Sequence, residues 1–186
     1  MDGGSRRWAL FGERLAIEYA NTVFGTPEGC REGLDAPDAL ADWARAHDLT
    51  TVAPSAADFG RALELRDAIR VCLAAAETGD PPAPTAVDVV NRCSAAAPVV
   101  PVLRLTGGSM VMSASETADP VDALLGACAR DAIELLGTEA RRRVRNCARP
   151  VCPMFFEQTH PRRTWCSNYC GDAMRHARQY ERTRSP

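Results

Sequence analysis

Residues 147–171 read CARPVCPMFFEQTHPRRTWCSNYCG, and the thiols in this run organise everything around them. Spelled Cys147-x4-Cys152-x13-Cys166-x3-Cys170, they make two close pairs, each able to grip one side of a tetrahedral metal ion. Zinc suits such a set, because thiolates bind it well and four of them close the site to water and substrate. In a reducing compartment clustered thiols hold metal rather than form a disulfide framework. Four unrelated buried cysteines would not explain why Pro150, Pro153, Trp165 and Gly171 crowd around them. His160 is a candidate substitute ligand, but the four-cysteine set is complete without it.

The flanking residues supply the frame. Arg141 to Cys147 reads as a strand running into the first pair, and Met154 to Thr159 as its return, so Cys147 and Cys152 fall at the tip of a hairpin. Ser167 is a good N-cap for a helix reaching about Arg184. Cys166 lies just before that helix and Cys170 in its first turn, where the positive end of the helix dipole favours thiolates. A hairpin and a helix, each bearing one pair, form the plan of a treble clef. So small a unit buries too little apolar surface to fold alone, so metal binding and folding are expected to be one event.

Charge divides the chain at the same place. Residues 141–186 hold eleven Arg against Glu157, Asp172 and Glu181, a net +8, whereas the remainder holds eleven Arg against twenty-one acids, a net −10. A basic module on an acidic body points to a polyanionic partner for one end only. Advancing 100° per residue, Arg175, Arg178 and Arg182 gather on one side of the last helix, with Ala173, Ala177 and Tyr180 opposite. Arg162, Arg163 and Arg184 extend the positive field. Guanidinium groups suit phosphates and guanine edges, so duplex DNA is the natural partner. The bland reading is a solvated face, or one that docks on the acidic body of a second copy to form a homodimer.

At 186 residues and 46% hydrophobic, the chain affords one medium domain plus this small module: a body over 1–140 and a finger over 141–186. The sequence predicts an α+β, mainly helical fold. In the body, apolar spacing predicts helices over Arg14 to Val23, closed by Gly25, Pro27 and Gly29, and over Pro37 to His47. Further helices are expected from Ser55 to Thr78, from Ala86 to Ala96, and from Pro120 to Leu136, the last capped by Asp119 and stopped by Gly137. Val99 to Leu105 and Ser109 to Ser115 flank Thr106-Gly107-Gly108 as a β-hairpin, one face of which should pack on the helices. His47, at a helix C-terminus, is expected to carry partial charge there.

Three polar residues stand out in the body. Glu18 and Asn21 lie off the apolar stripe of the first helix and are candidate ligand-binding groups at the edge of a pocket. Arg66 sits near Ile69 and Leu73 on the apolar face of its helix. It is read as a snorkelling side chain, as an anchor for an anion, or as a partner of Glu18. Three histidines, no phosphate-binding glycine loop and no Gly-x-Ser-x-Gly elbow leave no recognisable catalytic constellation. Cys72, Cys93 and Cys128 occupy apolar helical positions as core residues. No apolar run is long enough to span a bilayer, so a cytoplasmic chain is expected.

Cys147-x4-Cys152, Met154-Phe155-Phe156, Arg162-Arg163, Trp165-Cys166-Ser167, Cys170-Gly171 and Ala177-Arg178-Gln179-Tyr180-Glu181-Arg182 together resemble the C-terminal signature of the CGNR zinc finger family. Arg14 to Thr22 resembles the opening of the ABATE domain that usually precedes it. The resemblance implies a transcription regulator whose body senses a small ligand and whose zinc finger binds DNA. The family's Asn-Arg after Cys-Gly is here Asp172-Ala173, which removes one guanidinium and sets a carboxylate beside the proposed phosphate face.

Overall fold

The computed structural model describes residues 8, 10–26, 29–49, 53–116 and 118–184. Pro27 and residues 1–7 lie outside that set. The chain order is α1 (Leu15–Ala20), β1 (Val23–Thr26), β2 (Gly29–Glu32), α2 (Pro37–Ala46), α3 (Ala56–Thr78), α4 (Pro84–Ala96), β3 (Val99–Thr106), β4 (Ser109–Glu116), α5 (Pro120–Leu136), a 3-10 turn (Glu139–Arg143), β5 (Val144–Asn146), β6 (Phe155–Glu157) and α6 (Asn168–Arg184). Helices make up 54% of the described residues, and the strands among them form three separate antiparallel hairpins.

The helix boundaries follow local chemistry. A reciprocal capping box opens α3: the Ser55 hydroxyl accepts from the Asp58 amide, and the Asp58 carboxylate accepts from the Ser55 amide. Gly79, at φ 81°, closes it in the left-handed conformation. The Asp119 carboxylate caps α5 by accepting from the Val121 amide, with Pro120 at the first position. These helices bury Leu65, Ile69, Leu73, Leu124, Leu125 and Leu135 completely, each worth roughly 1.5–3 kcal/mol of transfer free energy. Short α1 runs through the centre with Ala16 to Ala20 all buried. Its Tyr19 ring packs against Trp43 of α2 at 4.9 Å and donates its hydroxyl to the Ala62 carbonyl at 2.7 Å.

The structure departs from the sequence reading in four places. First, α1 stops at Ala20 rather than near Val23, because the Thr22 hydroxyl donates back to the Tyr19 carbonyl at 2.8 Å and Asn21 turns its amide away to another strand. Second, Val23 onward forms the β1–β2 hairpin, which four-residue strands without alternation did not signal. Third, β3–β4 forms where expected but does not lay a face on the helices. Leu103 pairs with Met112 and Leu105 with Met110 on one face, and all four are between 71% and 82% exposed. The buried faces of α3, α4 and α5 turn toward one another and not toward the hairpin, which projects. Fourth, His47 is not a charged helix cap. Its ring lies 4.4 Å from that of Trp43, and burial pushes its pKa below 6.5, outweighing Asp48.

The finger is not appended at arm's length. Val144 of β5 and Phe155 of β6 are buried in the same core as α1, α3 and α5. On the other side of this hairpin, Met154 and Phe156 join the cysteines in a second small core, flanked by Phe11, Phe24 and Trp165.

Candidate metal centre and basic helix

Strands β5 and β6 place the first thiol pair at their tip, where the Cys147 amide donates to the Met154 carbonyl at 2.9 Å and closes the loop. The start of α6 supplies the second pair. Its Ser167 hydroxyl faces the Cys170 amide at 3.4 Å. The four sulfurs all lie within 4.8 Å of one another, and all four residues are buried. Separations are 3.8 Å for Cys152–Cys166, 3.6 Å for Cys166–Cys170 and 3.9 Å for Cys152–Cys170. Four sulfurs placed about 2.3 Å from a central ion stand about 3.8 Å apart at tetrahedral geometry, so the cluster has the dimensions of a metal–tetrathiolate site.

The electrostatics agree. Hydrogen bonds from the Cys152 and Cys166 thiols pull Cys147 down to about 2, while the same contacts with Cys147 push Cys152 up to about 12 and Cys166 upward as well. These three thiols thus do not ionise together unaided, and a bound cation would offset the repulsion between neighbouring thiolates. The β1–β2 hairpin walls the site closely. A methyl on Gly25 would meet the Val151 carbonyl oxygen at 3.0 Å and the Cys152 Cα at 3.1 Å, so a larger residue would require that backbone to give by a few tenths of an ångström.

The three polar residues singled out in the body are spent inside the chain. Asn21 is a two-way clamp: its amide donates to the Phe155 carbonyl and its oxygen accepts from the Phe155 amide, both at 2.8 Å. One Glu18 oxygen accepts from the Phe11 and Glu13 amides at 2.8 and 2.9 Å, while the other has no partner among the described residues. Arg66 does not meet Glu18; it binds Glu32 at 2.5 Å and Asp67 at 3.0 Å with its side chain only 6% exposed. Sequence reasoning missed two other ties between body and finger. Arg70, one turn beyond Arg66, donates to the Ala20 and Pro153 carbonyls at 2.7 and 3.0 Å and lies over the Phe155 ring. Glu13 accepts from the Glu157 amide at 3.0 Å and pairs with Arg163. The signal for both was a charge adjacent to a buried helical stripe, which a solvated residue also gives.

The arginines predicted to meet nucleic acid divide accordingly. Arg163 is turned inward, donating to the Glu157 and Cys166 carbonyls at 3.1 and 3.0 Å and covering the Phe156 ring. Arg162 is exposed on the loop. Arg175, Arg178 and Arg182 are exposed on α6, with Arg175 paired to Asp172 and Arg178 6.0 Å from the Trp165 ring. The helix does not have the packed opposite side expected: Ala177 and Tyr180 are exposed too, because only its first turn, around Cys170 and Gly171, rests on the metal centre. From there it projects, a seventeen-residue rod about 25 Å long. Arg162 and Arg175 also border an open cleft of about 760 Å³ beside Trp165 and the start of α6.

Among the described residues, no helix is long and apolar enough to cross a membrane. A search of curated proteins gave no match. Two family models match, in chain order. The ABATE model, described as "Putative stress-induced transcription regulator", covers residues 13–139, and the CGNR zinc finger model covers residues 143–183. The second takes in all four cysteines and the arginine-bearing helix they anchor, the first the whole helical body that grips them, and on both matches the chain belongs to the ABATE family with a C-terminal CGNR zinc finger.

Proposed function

We propose that this protein is a DNA-binding transcription regulator in which zinc fixes a treble-clef finger, the finger meets duplex DNA, and the body senses a small ligand. The observation that carries the reading is a projecting helix with exposed Arg178 and Arg182, fixed at its base by four thiols and flanked by Arg162. Zinc is the expected ion because an all-thiolate tetrahedron selects zinc over harder cations, and a closed site needs no open coordination position. Its contribution is structural: it holds the first turn of α6 against the β5–β6 hairpin. Asn21, Arg70 and the Glu13–Arg163 pair then link the state of the body to the direction of the helix.

Titration of labelled duplex DNA at several salt concentrations tests this. Binding should weaken steeply with salt, and replacing Arg178 or Arg182 with Gln should each lower the log–log slope by about 0.9. Salt-independent binding, or none, would sink the DNA reading.

A second reading is favoured by two specific contacts. Asp172 neutralises Arg175, and Arg163 is committed inward, so the positive field is thinner than the sequence count implies. On that reading the finger is a structural clasp, or a docking arm for another protein, on a ligand-binding body. Retention of a partner after nuclease treatment, with no DNA affinity, would establish it.

A further inference from the structure

One cavity of the body lies away from both the thiols and the residues singled out in α1. Between the last turns of α3, helix α4 and the end of α5 lies a cavity of about 540 Å³, within the range of sites that hold small molecules. Its walls are apolar: Cys72 and Ala76 from α3, Val87 and Val90 from α4, Ile133 and Leu136 from α5. Val87 and Ile133 remain 37% and 40% exposed, so helix packing leaves this surface unfilled. Burial keeps the Cys72 thiol protonated, leaving that wall uncharged.

The mouth is different. Arg141 and Arg142, from the 3-10 turn, reach it beside Asp80 and Asn91. Arg142 is already paired with Glu139 at 2.7 Å. The Arg141 guanidinium makes one hydrogen bond, to the Thr138 carbonyl at 3.1 Å, and no ion pair among the described residues. A guanidinium with no ion pair among the described residues thus borders a largely apolar cavity that Asp80 also borders, an arrangement suited to a molecule with an apolar body and a single acidic end. Asp80 offers a place for a hydrogen-bond donor next to that acid, but would repel a second negative charge.

We propose that this cavity binds a small amphipathic monocarboxylate, its apolar body between α3, α4 and α5 and its carboxylate on Arg141. The turn that carries Arg141 runs directly into β5, the strand leading to Cys147, so occupancy is placed to bias the finger. This coupling, though not the binding itself, rests on the DNA-binding reading above.

Calorimetric titration of the full-length, metal-loaded chain with decanoate and with 2-naphthoate tests the site, with decanol and decylamine as controls. At least one acid should saturate at one equivalent and raise the melting temperature, and decanol should bind at least tenfold more weakly than decanoate. Arg141→Gln should erase that difference between acid and alcohol. Val87→Trp, at a partly exposed wall position that tolerates bulk, should abolish acid binding while circular dichroism stays unchanged. The proposal is overturned if neither acid saturates, if decylamine binds more tightly than decanoate, or if Val87→Trp folds and binds as before. DNA titrations with and without the acid separate the two ideas. Acid binding without DNA affinity removes the regulator and keeps the cavity, whereas DNA affinity without acid binding does the reverse.

Discussion

Asn21 illustrates how a residue chosen for one reason works for another. A polar side chain beside an apolar helical stripe reads as the rim of a pocket, yet its amide completes both backbone groups of Phe155. Asn21→Ala strands a buried donor and a buried acceptor, so a loss of about 2–4 kcal/mol is expected in urea unfolding of the metal-loaded protein. A loss below about 1 kcal/mol would mean water takes over both bonds. Cys166→Ser should abolish stoichiometric metal by elemental analysis and cost about 4 kcal/mol or more. His47 makes a pH prediction. Its folded pKa lies below 6.5, so the stability it contributes is present above that value and is lost as pH falls through the lower folded one. Unfolding curves from pH 7 to 5 should therefore converge between wild type and His47→Phe, and parallel curves would show that the ring protonates freely in the fold.

Among the elements, the two hairpins of the body make opposite predictions. The β1–β2 turn presses its backbone on the Cys152 loop, and Gly25→Ala forces two main chains apart. It should cost about 1–3 kcal/mol and loosen metal in competition with a chelator. The β3–β4 hairpin touches little, so Leu103→Thr and Met112→Thr should each change stability by no more than about 0.5 kcal/mol in thermal melts. Glycines explain why one hairpin was legible and the other was not. Gly107 and Gly108 adopt positive φ between two eight-residue β-rich runs, a local signal that any chain would fold on. β1 and β2 are only four residues each, and the loop they pack against lies more than a hundred residues away. Helices α2 to α5 were readable almost to the residue because their caps and apolar periods are local. The packing of β3–β4 was misread because alternation tells which residues share a face, not whether anything covers it.

For the molecule as a whole, the placing of Val144 and Phe155 in the body's core means that finger and body should melt together. Calorimetry should give one transition, and metal removal should shift the whole of it downward; two separable transitions would contradict the shared core. The sequence by itself determined the four ligands, the helical character and the basic end, since thiol spacing, 3.6-residue periods and charge are properties of neighbours along the chain. Only the tertiary structure decided which polar groups are free. Arg163 and Asn21 are committed inward, whereas Arg178, Arg182 and Arg141 stay open, because a partner that satisfies a buried charge or amide is brought by the fold from a distant stretch.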